Sequence, residues 1–202
     1  MKLYLTVIGI AMTLIAAVNI AFETEIWYYV ILATVWCAFL QFALDGLIAY
    51  LIHLLPNSYF GVDNPAFNVS KKDNELFKAL KVRKWKDHVW ELGGLGGFSK
   101  KNFTDPQNPE YVERFIIECN KGVITHRLSY PVGLLAMLTV KGICPLTIAL
   151  PVAIVNLFLN ILPTLVLRYN TPFLKRVLQR MKKKQFVKNE SHSDNEQVVN
   201  AL

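Results

Sequence analysis

The chain has 202 residues, 53% of them apolar, and a formal net charge of +7. That apolar share exceeds the usual soluble composition, and the bases flank apolar runs, which favours anionic lipid head groups over nucleic acid as their partner. Cys37, Cys119 and Cys144 are scattered, with no CxxC spacing and no Cys/His cluster, so neither a disulfide framework nor a metal site is indicated.

The first element is the uncharged run Leu3 to Phe22. It exceeds the h-region of a secretory signal, roughly 7–15 residues, and a second apolar stretch follows at once. That stretch, Ile26 to Leu55, is interrupted only by Asp45 and His53. Ile143 to Leu167 is a third uncharged run long enough for a transmembrane helix, which needs about 20 residues. Leu128 to Val140 is shorter and reaches that length only if its helix begins upstream, near Val123. The expected fold is all-α: an integral membrane helical bundle of about four transmembrane helices plus two interfacial amphipathic helices. The segment from Pro56 to Arg127 holds twelve Lys and Arg, and the tail from Arg168 holds eight. The positive-inside rule then puts both termini and the central segment in the cytoplasm of a multi-pass cell-membrane protein. The organisation reads as an N-terminal transmembrane hairpin (1–55), a basic cytoplasmic or interfacial segment (56–127), a C-terminal transmembrane hairpin (128–172) and a basic, then polar and disordered, cytoplasmic tail (173–202).

Within the central segment, Asp73 to Trp90 has the periodicity of one basic amphipathic helix. Gly93, Gly94, Gly96 and Gly97 break it as a hinge. Asn108-Pro109-Glu110 is a helix start, with a capping side chain, Pro in the first turn and an acid at the positive end of the dipole. The helix it opens runs past Glu118 and His126 into the third span, where Pro131 would kink it.

Several residues are candidates for chemistry. His126 suits a general base and Glu118 an orienting carboxylate, though eight residues on a straight helix turn them about 80° and separate them by about 12 Å. The alternative is a histidine reaching head groups and a glutamate paired with Lys121 or Arg114. Arg83-Lys84-Trp85-Lys86 reads either as a membrane anchor or as a clamp for the phosphates of a donor such as coenzyme A. Asp45 shares a helix face with Gln41 and is either functional or held by neighbouring helices. Asn156, Asn160 and Thr164 form a polar stripe leading to Arg168, as helix–helix glue or as the lining of a groove.

Pro56, Tyr59-Phe60, Val82-Arg83-Lys84-Trp85-Lys86, Ile116-Ile117-Glu118, His126, Asn160, Arg168-Tyr169-Asn170 and Pro172 together resemble the small membrane glycosyl-4,4'-diaponeurosporenoate acyltransferases of staphyloxanthin-type carotenoid synthesis. The resemblance covers roughly Leu55 to Lys184 and leaves Asp45 and His53 outside it. It implies transfer of a fatty acyl group from a thioester, with acyl-CoA as co-substrate and no cofactor, to a hydroxyl of a membrane-embedded glycosylated lipid. His126 and Glu118 would then be catalytic, and Arg83, Lys84, Trp85 and Lys86 would bind the donor. Asn160, Arg168, Tyr169 and Asn170 would bind the acceptor. The implied partners are membrane lipids, the acyl donor and a lipid-linked sugar. The competing possibility is a non-catalytic membrane adaptor that binds anionic lipid or a partner enzyme through its basic helices.

Overall fold

A computed structural model describes the backbone of residues 2–89 and 104–199 and the side chains of residues 5–89 and 104–186. Every regular element among the described residues is helical. Helices α1 (Lys2–Ala21) and α2 (Trp27–Leu54) form an N-terminal hairpin. Two 3-10 turns, Asn57–Phe60 and Pro65–Phe67, lead to α3 (Lys71–Ala79) and the single-turn α4 (Val82–Trp85). A second hairpin pairs α5 (Pro109–Val132) with α6 (Leu150–Val199). The glycine hinge Gly93 to Gly97 lies outside the described residues.

Two helical stretches are long and apolar enough to cross a membrane, Trp27–Leu54 and Pro145–Phe186, and α1 adds a shorter apolar run over Leu5–Ala21. The third expected span is built differently. Helix α5 carries charged side chains as far as Arg127, ends at Val132 just beyond Pro131, and continues as a 3-10 turn over Gly133–Leu138. Its apolar part is therefore a short α-helical end plus a tighter coil. The return to α6 passes through Gly142, whose φ is +64° and whose missing side chain leaves room for the Glu25 carboxylate. A glycine is needed at such a position because a Cβ would strain the backbone and strike that neighbour.

Small residues bring the helices together at this end. Val30, Ala33 and Cys37 of α2 pack on Ala136, Val140, Cys144, Ile148, Ala149 and Val152. Small side chains let helix backbones approach, which matters where apolar surface gains little by leaving lipid. Towards the other end, Val112, Phe115, Ile116, Cys119 and Val123 of α5 meet Leu167, Leu174 and Leu178 of α6. The two hairpins thus form one bundle, with α5 against α6 as its most extensive contact.

Two sequence expectations are corrected. The helix expected over Asp73 to Trp90 is broken after Ala79, because Lys81 adopts a left-handed conformation with φ of +51°. The Trp85 indole N–H donates to the Leu80 carbonyl at 2.9 Å and so satisfies a group that the broken helix leaves open. The other correction concerns the tail: α6 runs through Pro163 and Pro172 to Val199, so residues 173–199 continue as helix. Thr164 and Thr171 turn their hydroxyls back onto the carbonyls of Asn160 and Leu167 beside those prolines, the kind of local adjustment that lets a membrane helix keep a proline.

Helix α3 is fastened to α6 by charge. Ser70 and Asp73 form a reciprocal capping box, and Arg168 Nη2 donates to Asp73 Oδ2 at 2.7 Å. Phe77 packs edge-on against Tyr169 with ring centroids 5.6 Å apart. Partial burial opposes the Asp73 charge, but hydrogen bonds from Ser70 and Arg168 outweigh it and hold the carboxyl below its ordinary value. A carboxyl depressed on folding stabilises the fold above its unfolded value, about 3.9, and loses that contribution as pH falls through the folded value. Asp73→Asn is expected to cost about 2 kcal/mol at neutral pH. Thermal unfolding in detergent should show that loss shrinking as the pH is taken below 4, and a constant loss across pH would refute it.

Candidate active site

About midway along the bundle, side chains from α2, α5 and α6 meet in one hydrogen-bonded cluster. Gln41 and Asp45 lie one turn apart on α2, and Asn156, Asn160 and Thr164 are spaced by four on α6, so each helix presents one polar stripe. The Gln41 amide donates to the Gly133 carbonyl at 2.6 Å. A Cβ at residue 133 would lie 2.9 Å from Gln41 Oε1, so glycine is what permits that approach. Asn156 Nδ2 donates to Gln41 Oε1 at 3.0 Å. Asn160 Nδ2 faces Asp45 Oδ2 at 3.1 Å, the Asn156 backbone carbonyl at 3.0 Å and Asn156 Oδ1 at 3.2 Å. His126 of α5 closes the cluster, its Nδ1 lying 2.8 Å from Asn160 Oδ1. Tyr130, one turn on, donates to Thr164 Oγ1 at 2.9 Å.

Bond directions follow from chemistry. The Asn160 NH2 group faces a backbone carbonyl, and carbonyls only accept, so its oxygen points at His126 and His126 Nδ1 carries the proton. In the neutral ring the basic lone pair is then on Nε2. Asn160 lies eight residues before Arg168, which places this layer about 12 Å deeper along α6 than the Arg168–Asp73 pair.

Glu118 is placed elsewhere. Helix α5 is continuous through Gly122, so Glu118 and His126 point in different directions, and the carboxylate expected to orient His126 makes other bonds. Glu118 Oε2 lies 3.4 Å from His53 Nε2 of α2, and Oε1 lies 3.8 Å from Lys121 Nζ. His53 Nδ1 meets the Ala49 carbonyl at 2.8 Å. Both ring nitrogens of His53 therefore face oxygen atoms. Lys121 is only 5% exposed and sits 5.7 Å above the Phe60 ring. Neighbouring Asn120 donates to the Phe60 carbonyl at 3.0 Å. This ionic cluster locks α2, α5 and the turn after α2 together.

The remaining expected site residues divide by layer. Arg83 and Lys84 are exposed on α4, Trp85 is half-buried, and Lys86 pairs with Asp87 at 2.9 Å. Arg168 is 8% exposed and committed to Asp73, with its Nη2 also 3.5 Å from the Asn68 carbonyl. Tyr169 holds Phe77, and Asn170 is half-buried. The structure thus gathers Asn160 with His126 and leaves Arg168 and Tyr169 in the layer that docks α3. Thr125 and Ser129, on either side of His126 in α5, bury hydroxyls that have no partner among the described residues. Such groups are where a water or ligand completes the bonding. Among the described residues no group of His, Cys, Asp and Glu could hold a metal ion.

The fold and cluster define a protein, all-helical among its described residues, with apolar, membrane-length helices and a polar layer that a histidine closes. The family model described as glycosyl-4,4'-diaponeurosporenoate acyltransferase matches residues 56–180, more than half of the chain, and the chain belongs to that family. No curated protein and no solved structure matches it. The matched segment contains His126, Asn156, Asn160 and Glu118, while Gln41, Asp45 and His53 precede it.

Glu118→Ala would leave the Lys121 ammonium buried without its carboxylate, at an expected cost of about 3–5 kcal/mol. The double variant Glu118→Ala/Lys121→Met should recover most of that. Thermal unfolding of the purified protein measures both, and an unchanged midpoint in the single variant would show that the cluster does not lock the bundle.

Proposed function

We propose that the protein transfers a fatty acyl group from a thioester donor, acyl-CoA, to a sugar hydroxyl of a membrane-embedded glycosylated lipid such as a glycosyl carotenoid. The observation that carries this is the His126–Asn160 hydrogen bond, which leaves the basic nitrogen of His126 at Nε2, together with membership of an acyltransferase family. His126 Nε2 takes the proton of the acceptor hydroxyl as its oxygen attacks the thioester carbonyl. A C–O bond forms, the C–S bond breaks, and the leaving thiolate recovers the proton from the imidazolium. Ester and thiol are the products, and no redox partner is required.

The chain then crosses the membrane four times, with both termini and the α3–α4 segment on the cytoplasmic side. Helices α1 and α5 complete the spans that length and hydropathy alone assign to α2 and α6. The exposed Arg83 and Lys84 face the compartment that supplies the donor and bind its phosphates. Sugars reach His126 from within the leaflet, about 12 Å below the Arg168 layer. Glu118 acts on stability, through Lys121 and His53, rather than on the proton.

Cells supplied with glycosyl-4,4'-diaponeurosporenoate and expressing the wild type are expected to accumulate its acylated form. His126→Ala should lower the rate about 10³-fold at equal protein level, and Asn160→Ala, which removes one orienting hydrogen bond, about tenfold. Lipid profiling by mass spectrometry reads all three. Equal acylated product from wild type and His126→Ala would remove His126 as the base.

A further inference from the structure

Among the described residues Asp45 is the only carboxylate in the polar cluster, and it comes from a helix outside the segment that the family model matches. Its two oxygens are divided between the two amides of α6, Oδ2 at 3.1 Å from Asn160 Nδ2 and Oδ1 at 3.5 Å from Asn156 Nδ2. Both contacts are donations to the carboxylate. Three groups that can only accept therefore bound the network: the Gly133 carbonyl, which orients Gln41 and through it Asn156, the Asn156 backbone carbonyl, which receives from Asn160, and the Asp45 carboxylate, which receives from both asparagines. Every donor in the chain of amides is drawn towards these three, the Asp45 carboxylate alone being shared by both asparagines, and the one oxygen aimed the other way is Asn160 Oδ1, at His126.

Charge adds to this orientation. A carboxylate inside an apolar bundle is costly unless it has hydrogen bonds and a positive partner. Among the described residues Asp45 has no cation within ion-pair distance. The group nearest to it through a single shared amide is the His126 imidazole, which gains a positive charge when it takes a proton.

We propose that Asp45 is a positioning residue: through the Asn160 amide it holds His126 with its proton on Nδ1 and its lone pair on Nε2, and it balances the imidazolium formed during transfer. This rests on His126 being the base. It also gives the N-terminal hairpin a part in the chemistry, since α2 supplies Asp45 while α5 and α6 supply the groups it acts on.

Asp45→Asn keeps the side-chain volume but turns an NH2 towards Asn156 or Asn160, where only an acceptor fits. The full chain is prepared in lipid nanodiscs with 15N-labelled histidine, and the His126 signals are assigned by their absence from His126→Ala. Wild type is expected to show one neutral tautomer, protonated at Nδ1, and Asp45→Asn a mixture. With palmitoyl-CoA and glycosyl-4,4'-diaponeurosporenoate, Asp45→Asn should lower kcat about 10²-fold with KM for palmitoyl-CoA within about twofold of the wild type. Asp45→Glu should recover part of the loss, and adding Asp45→Asn to His126→Ala should cost nothing further. The proposal is overturned if Asp45→Asn keeps the wild-type tautomer, or if its kcat loss persists undiminished in the His126→Ala background. Should the wild type transfer no acyl group, the acyltransfer mechanism fails, and the tautomer comparison still decides whether Asp45 orients His126. Should Asp45→Asn fail to fold, Asp45→Glu decides: a folded Asp45→Glu with wild-type kcat and a single tautomer supports the relay, and one with wild-type kcat and a mixed tautomer overturns it.

Discussion

A carboxylate midway along an apolar helix constrains everything packed against it. Asp45 cannot face lipid without a heavy cost, and it cannot be satisfied by its own backbone, whose donors are used by the helix. Its needs are met by Asn156 and Asn160, which fixes the rotation of α6 about its axis and its register against α2. Asn160 in turn fixes His126, and with it the rotation of α5. Three helices are thus aligned by one acid and two amides, while the apolar contacts above and below tolerate a range of rotations. Small residues at one end and the Ile116–Leu167 contact region at the other supply adhesion, and the polar layer supplies orientation.

The bundle is consequently stratified. At the end where the hairpin loops meet, Gly142 and Glu25 fit together closely and the core is built of Ala, Cys and Val with Ile148. The amide–histidine layer follows. Beyond it come two separate ionic layers, Lys121–Glu118–His53 and Arg168–Asp73, which fasten α2 to α5 and α3 to α6. Charges therefore increase towards the end that carries the basic segment. The same division explains why Arg168 and Glu118 hold the frame. Each is bound to an oppositely charged partner at the rim of the bundle, and His126 lies deeper.

The local grammar of the sequence translated well. Asn108 caps α5 through its side-chain oxygen, with Pro109 in the first turn. Gln41 and Asp45 share a face, and Asn156, Asn160 and Thr164 make the stripe that their spacing requires. Less legible was anything set by contact across the chain. Of the two partners that spacing allows Glu118, Lys121 is the one the structure supplies and His126 is not, while its other partner, His53, comes from another helix. No periodicity reports which of two histidines a folded bundle brings near. The break after Ala79 was hidden as well, because Lys81 is an unremarkable residue by composition. Its left-handed backbone is sustained by the Trp85 indole on the Leu80 carbonyl and by burial of Val82. The prolines misled in the opposite sense: Pro172 is a stop signal in water, and α6 passes it because Thr171 and the packed neighbours absorb the disturbance.

The division between the matched segment and the rest of the chain has a physical consequence. Residues 56–180 contain α5, most of α6 and His126, the proposed base, and taken alone they would present Asn156, Asn160 and Gly133 to the position that α2 occupies. Two amide groups and a helix-end carbonyl would then face hydrocarbon, where each unsatisfied group costs several kcal/mol. Some helix must cover that face with acceptors for the asparagines and a donor for the carbonyl. Gln41 does both at once, accepting from Asn156 and donating to Gly133, and Asp45 completes the set with a negative charge. A purely apolar helix would leave the polar stripe of α6 unsatisfied, and a helix carrying only amides would lack the carboxylate that accepts from both asparagines. The N-terminal hairpin is therefore joined to the layer that holds His126 by the same bonds that hold it in the bundle, so the orientation of that layer and the stability of the bundle cannot be varied independently.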